Sequence, residues 1–400
     1  VASPEIAPAV YVDRLLADMQ QLLDGPLPAV YAQALLRVPR HLFLPERLWL
    51  RDAQGGYRPC ALATDPEGWM EAAYSDAPLV TQFADGRPSS SASMPSMVMR
   101  MLLLADLGAT RGPGHVLELG TGTGFNAGLL CALLGEQAVT TLELDPVLAA
   151  QGERNLKAAG YAPTIVRTDA AAGWATGAPY DRIVATFSTD RVPAPWVAQT
   201  RPGGRIVTPW TSAWCCYGTL ALGVAPDGTA EGRFHPFASY MPMRRTLSAP
   251  GADTAAPETA TTVTGTAALA AAAAGEARPT TTDLSPWAVA GGDLDAEFHL
   301  GLTVPGASFA WDTTGAHAHT RLHLEDATSP SWATVDYDGQ HADEFTVTQV
   351  GPRHLWDEIS AAYRQWEILG RPVVGQYGLT VRDQEHTVWL STPGRTLSKL

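Results

Sequence analysis

Leu15, Leu16, Met19, Leu22 and Leu23 recur at helical spacing, and a second apolar run from Val30 to Leu36 precedes Val38-Pro39-Arg40. Residues 10–50 therefore read as helix, turn, helix. Residues 51–93 are so rich in Gly, Pro, Ser and Asp that they are expected to be largely loop. From residue 94 the pattern changes. Met97, Val98, Met101, Leu102 and Leu104 describe one buried helical face, and short apolar strands then alternate with helices. A strand is expected over 115–119, a helix over 125–134 ended by Gly135, and a strand over 139–144. A helix opened by Asp145-Pro146 follows, with an N-cap aspartate and a proline in its first turn, and Gly160 closes it. Further strands are expected at 164–167, 181–186 and 205–208, the last after a turn at Pro202-Gly203-Gly204. Strands alternating with helices predict the α/β class and a parallel, doubly wound sheet.

Residues 249–282 are dominated by Ala, Thr, Gly and Pro and read as a linker, in which Ala267–Ala274 can form a short helix. Globular composition resumes at 283. Leu355, Ile359, Tyr363 and Trp366 mark an amphipathic helix, and two strands follow near 373–381 and 386–390. Trp332, Trp356, Trp366 and Trp389 are read as core of this part. The expected organisation is a catalytic unit over 1–248, a linker over 249–282 and an α+β accessory domain over 283–400.

The formal charge of −14 disfavours a nucleic-acid partner, which needs clustered Lys and Arg. There is no apolar run of the length that crosses a bilayer and no basic-then-apolar start, so no membrane span and no signal peptide are expected, and the location is read as cytoplasmic. Cys60, Cys131, Cys215 and Cys216 form no CxxC pair and have no metal spacing, so no metal is expected. His317, His319 and His323 are close in sequence but read as a packed or solvated strand.

The chemistry begins at Glu118-Leu119-Gly120-Thr121-Gly122-Thr123-Gly124, which follows a strand and opens a helix. A dinucleotide fingerprint would carry its third glycine at the position held by Phe125. The spacing here is GxGxG, with a carboxylate two residues ahead. A pyrophosphate disfavours that charge, whereas the cationic S-adenosylmethionine tolerates it. Glu143, ending the next strand, is placed for the ribose hydroxyls, and Asp169, ending the third, for the adenine amino group. The residues assigned to the cofactor are Glu118, Gly120, Thr121, Gly122, Gly124, Glu143, Leu144, Asp169 and Ala170. This pattern argues against a nicotinamide oxidoreductase.

With these residues in order, the chain resembles the protein-L-isoaspartate (D-aspartate) O-methyltransferase family over roughly residues 10–245. Val38-Pro39-Arg40-His41-Leu42-Phe43 is similar to the family's VPR-x-x-F, and Ala73-Tyr74-Ser75-Asp76-Ala77-Pro78-Leu79 to its AY-x-D-x-x-L. Ser93-Met94-Pro95-Ser96-Met97, with Met101-Leu102 following, matches S-x-P-x-M-x-x-x-M-L. The resemblance implies a Rossmann-like class I methyltransferase fold with a helical N-terminal segment. It also implies an active-site serine at Ser93. By spacing alone Ser93 reads as an N-cap. Asp76 is a second catalytic candidate, with a turn-forming role as its alternative. Thr186, Phe187, Ser188 and Thr189, after the fourth strand, are expected to line the acceptor pocket.

Three stretches depart from the family. Ser89-Ser90-Ser91-Ala92 replaces its Gln-Thr pair and isoleucine, Ala170 replaces a glycine, and Thr186–Asp190 replaces small residues. Together with the C-terminal domain, these resemble actinobacterial enzymes that tailor ribosomally made lanthipeptides, lasso peptides and graspetides. The expected reaction is esterification of one aspartate of a precursor peptide, with closure to aspartimide or isoaspartate. The alternative is general repair of isoaspartyl proteins.

Overall fold

The computed structural model describes residues 9–23, 25–53, 55–109, 114–244 and 279–400. The chain opens with α1 (Ala9–Gln20) and α2 (Ala29–Arg37), as the apolar spacing predicts. The next stretch differs from the expected loop. Strands β1 (Arg47–Arg51) and β2 (Tyr57–Ala61), helix α3 (Pro66–Ala73), and strands β3 (Leu79–Ala84) and β4 (Arg87–Ala92) form a four-stranded antiparallel sheet in the order β2-β1-β3-β4. Asp85 and Gly86, at φ 51° and 75°, make the two-residue turn between β3 and β4. Both central residues of such a turn need positive φ. β4 is an edge strand of sequence RPSSSA, so it needs no alternating apolar face, and period-based reading passes over it.

Helix α4 (Pro95–Ala105) then leads into β5 (Val116–Leu119), α5 (Phe125–Leu134), β6 (Val139–Glu143), α6 (Pro146–Ala158), β7 (Thr164–Arg167) and β8 (Tyr180–Ala185). β5 and β8 are buried along their whole length, as parallel strands covered on both faces must be. Asp145 caps α6 by accepting from the backbone N–H of Val147 at 2.8 Å. After α7 (Ala194–Gln199) come β9 (Thr200–Pro209), β10 (Thr219–Val224) and β11 (Ala230–His235). Pro202-Gly203-Gly204 sits inside β9 as a bulge opposite β8 instead of forming a turn before it.

The linker expected over 249–282 lies outside the described residues up to 278, including Ala267–Ala274. Its end, β12 (Thr280–Thr282), pairs with a later strand. Helices α8 (Pro286–Ala290) and α9 (Leu294–Thr303) precede β13 (Ala307–Asp312), β14 (Thr320–Asp326), β15 (Trp332–Tyr337) and β16 (Phe345–Val350). These strands form a five-stranded sheet, β12-β16-β15-β14-β13. Helix α10 (Leu355–Ile368) follows, then β17 (Tyr377–Arg382), β18 (Glu385–Leu390) and β19 (Thr396–Lys399).

The main sheet runs β19-β18-β17-β11-β10-β9-β8-β5-β6-β7. Its β9-β8-β5-β6-β7 part is parallel, and the remainder is antiparallel. The boundary expected from composition thus divides the chain but not the sheet, because β17–β19 extend it beyond β11. Burial explains the weld. Phe298 of α9 meets Phe234 edge-on at 5.0 Å and Tyr377 at 5.6 Å, and the Trp214 indole donates to the Val289 carbonyl at 3.1 Å. Trp356, Trp366 and Trp389 are buried as expected, while Trp332 is half-buried. No helix among the described residues is long and apolar enough to cross a membrane.

Candidate active site

Between β8 and β5 the strand order reverses direction. In open α/β sheets the ligand crevice lies at the carboxyl ends of the strands at such a point. The loop after β5 and the segment after β8 meet there and line a cleft of about 1040 Å³, open solvent included. Gly120, Thr121, Gly122, Glu143, Leu144, Ala170, Thr186 and Phe187 are on its wall, and so is Ser93.

Two close approaches hold the loop. Gly120 has φ +97°, and a Cβ there would lie 2.5 Å from Thr186 Oγ1 and 3.1 Å from Phe187 Cδ1. Gly152 of α6 lets the loop rest on that helix, since its Cβ would meet Thr121 Cγ2 at 2.9 Å and the Gly122 carbonyl at 3.0 Å. Glu143 gathers three backbone N–H groups, from Gly122 at 2.8 Å and from Leu144 and Asp145 at 3.0 Å each. The glycine-lined wall therefore fits an adenosyl ligand, with a carboxylate held at the end of the second strand.

Several predicted residues lie behind the wall. Glu118 is fully buried beneath the loop. Its carboxylate accepts from Asn126 Nδ2 at 2.7 Å and from Thr141 Oγ1 at 2.5 Å, and Thr141 Oγ1 is 2.7 Å from Thr121 Oγ1. Glu118 thus ties together two cleft-lining side chains, Asn126 and Thr121. Asp169 accepts from Ala171 N at 2.9 Å, so it turns the chain that presents Ala170. Ser188 and Thr189 are also buried. The Ser188 hydroxyl donates to the Tyr240 carbonyl at 2.9 Å, and that of Thr189 to the Arg191 carbonyl at 2.5 Å.

Burial pushes the Glu118 carboxyl up from 4.5 to about 7, partly offset by its bonds from Thr141 and Asn126, and the nearby Glu143 charge adds to the rise. The folded chain therefore holds this proton more tightly than the unfolded one. Between pH 4.5 and 7 stability falls as pH rises. We expect Glu118→Gln to remove that slope, gaining about 1–3 kcal/mol over wild type between pH 5 and pH 8. Denaturant unfolding at the two pH values measures it, and an equal difference at both would show that Glu118 titrates alike in both states.

The acceptor side is built around Arg40, which is 1% exposed. Its guanidinium donates to the carbonyls of Ala73, Ser75, Ala77 and Ser93 at 2.9–3.1 Å and of Ala92 at 3.4 Å. One side chain from the VPR segment thereby fixes both the AY-x-D loop and Ser93. The helix expected from residue 94 begins at Pro95, and its N-cap position is Met94. Ser93 is thus not the N-cap. Asp76 supplies the capping bond instead, accepting from Ser96 N at 2.8 Å. Asp76 is not on the cleft wall, and its bond is to the start of α4.

Other residues also line the cleft, of which the sequence marked Ser89–Ala92, as a departure from the family. Ser89–Ala92 of β4 and Tyr240, Met241, Pro242 and Arg244 complete the wall. Asn126 was legible, as the polar position in an otherwise apolar helix. The 240–244 segment is held by bonds from Ser188 N to the Met241 carbonyl and from Met243 N to the Ser188 carbonyl, at 2.9 and 2.8 Å. Arg244 pairs with Asp145 at 3.5 Å.

Residues 63–214 match the family model for protein-L-isoaspartate (D-aspartate) O-methyltransferase. The protein-L-isoaspartate O-methyltransferase of Methanosarcina mazei is 35% identical over 50% of this chain and 69% of its own length. That of Thermococcus onnurineus is 32% identical over 53% of this chain and 83% of its own. A solved structure named protein-L-isoaspartate O-methyltransferase superposes with a TM-score of 0.52 at 18% identity, over 95% of this chain and all of its own, which shows the fold. The C-terminal part is therefore included in the likeness, and its presence does not by itself set this chain apart, contrary to the expectation from sequence. Identity, coverage and the glycine-walled cleft agree: the chain belongs to the protein-L-isoaspartate (D-aspartate) O-methyltransferase family, enzymes that use S-adenosylmethionine.

Proposed function

We propose that this chain methylates the side-chain carboxylate of isoaspartyl residues in proteins and peptides. The supporting observation is that Ser93 and the glycine loop line one cleft. When bound, S-adenosylmethionine supplies a sulfonium methyl group, whose transfer to a carboxylate oxygen forms a C–O bond as the C–S electron pair goes to sulfur.

The chain's own residues bind and orient. Gly120, Thr121 and Gly122 form the cradle, with Gly124 turned behind it against Gly152 and Leu156; Glu143 takes the ribose hydroxyls, and Leu144 and Ala170 flank the base. Thr186 and Phe187 divide the cradle from the acceptor side. A carboxylate is already ionised at pH 7, so no general base is required and positioning dominates. Ser93 donates its hydroxyl to the acceptor carboxylate, and Arg40 and Asp76 hold Ser93 and α4 in place. The neighbouring backbone nitrogen then attacks the ester carbonyl, forming a C–N bond as methanol leaves with the N–H proton, without help from the enzyme. The resulting succinimide hydrolyses to aspartate or isoaspartate.

Ser93→Ala is expected to lower turnover about 10–100-fold, as loss of one positioned donor does, with cofactor affinity within twofold of wild type. Kinetics on an isoaspartyl peptide and calorimetry with S-adenosylhomocysteine measure the two. Wild-type turnover in the variant would remove Ser93 from the site.

A second reading, a dedicated aspartate methyltransferase for a ribosomally made precursor peptide that yields aspartimide, is favoured by the acceptor wall. Ser89–Ser91 and Phe187 stand there in place of the family's usual residues. Matched isoaspartyl and aspartyl peptides separate the readings. Methylation of isoaspartate alone supports repair, whereas methyl gain and methanol loss on aspartate supports tailoring.

A further inference from the structure

We propose that Tyr240 is the second hydroxyl of the acceptor site and that it holds the acceptor carboxylate jointly with Ser93. This rests on the reading that the cleft takes a carboxylate. Tyr240 lies on the cleft wall yet is only 8% exposed. Its hydroxyl meets no atom of the described chain at full hydrogen-bonding geometry, and the side chain within hydrogen-bonding reach of it is that of Ser93, whose weak bond partly offsets the effect of burial. A buried hydroxyl left without a bond costs roughly 1–3 kcal/mol, so native chains retain few. One that lies in a ligand cleft beside another hydroxyl points to a ligand that bonds to both.

The surroundings select the ligand chemistry. Burial raises the Tyr240 pKa, so the phenol stays protonated and offers one donor. Ser93 offers a second. Two adjacent neutral donors suit an anion with several lone pairs, and a carboxylate bonded to both keeps a lone pair free to attack. Among the described residues, the basic side chains near this wall have other partners: Arg40 is bonded to five carbonyls and Arg244 is paired with Asp145. The backbone of Tyr240 is fixed independently of its hydroxyl. Its carbonyl accepts from Ser188 Oγ at 2.9 Å and from Cys216 Sγ at 3.2 Å. Sequence spacing missed the pair because its members are 147 residues apart (240 minus 93).

The test is Tyr240→Phe, which keeps the ring. The KM for the acceptor peptide is expected to rise roughly tenfold, the loss of one hydrogen bond to a charged group, with a smaller change in kcat. Affinity for S-adenosylhomocysteine should stay within twofold. Thermal stability should stay close to wild type, because the hydroxyl makes no full bond within the chain, whereas a packing role would lower it. In the double variant with Ser93→Ala the two losses should be less than additive, since one carboxylate is shared. Wild-type KM in Tyr240→Phe, with Ser93→Ala still impaired, overturns the inference and leaves the function standing. So does an equal loss of cofactor affinity, which would assign the hydroxyl to the cofactor. If wild type methylates neither isoaspartyl nor aspartyl peptide, the functional reading fails and the inference fails with it.

Discussion

Gly120→Val is expected to weaken S-adenosylhomocysteine binding by about a hundredfold or more, equivalent to about 2.7 kcal/mol. Two terms act together. At φ +97° any L-residue is strained, typically by about 1–3 kcal/mol. Its Cβ would also lie 2.5 Å from Thr186 Oγ1, so the Thr186 side chain or the loop must move. Neither moves freely. The Thr186 hydroxyl donates to the Gly120 carbonyl at 2.6 Å, and Gly120 N donates to the Leu142 carbonyl at 2.9 Å. Relief therefore shifts the cradle itself. Gly160→Val separates strain from position. Gly160 has φ +84°, but nothing lies within 4 Å of its Cβ site. It should lose stability of the same order while keeping its affinity. Calorimetry on both variants, with thermal unfolding alongside, decides. Equal affinities would mean that the loop after β5 does not hold the ligand.

Arg40→Met is expected to cost about 3–5 kcal/mol of folding stability. The side chain is buried, and burial lowers its pKa to about 10, against the favourable charge of Asp76. It is therefore still protonated at neutral pH. Methionine fills most of the volume but leaves four close carbonyls without their donor and the Asp76 charge without its neighbouring cation. Arg40→Lys keeps the charge but lacks the planar fork, so it should recover only part of the loss. Because Ser93 and the 73–77 loop share this anchor, turnover should fall further than stability alone explains, even where the variant is fully folded. Denaturant unfolding followed by kinetics below the transition measures both. A variant as stable as wild type would show that water replaces the guanidinium at little cost.

Legibility varied with the kind of signal. The strands and helices from Val116 to Arg167 were readable because burial on both faces makes β5 a continuous apolar run, and because Asp145-Pro146 and Gly160 are local stop and start signals. The sheet over residues 47–92 was not. Its serine-rich edge strand lacks a period, and the Asp85-Gly86 hairpin signal was overshadowed by composition. Glu118 was assigned to the cofactor on position along the strand. Position along a strand does not say whether a side chain reaches the cleft, and Glu118 lies buried beneath the loop, bonded to Asn126 and Thr141.

Local periods, caps and contiguous motifs were enough for the fold class, the glycine loop and the family. Which residues share the cleft depends on contacts between distant parts of the chain. Ser93 sits at the end of β4, Gly120 after β5, Thr186 after β8 and Tyr240 after β11. Bringing them together needs the sheet order β11-β10-β9-β8-β5, which is set by long-range burial. The same burial, acting through Phe234, Phe298 and Tyr377, joined the C-terminal strands to the catalytic sheet, where composition alone marked a division.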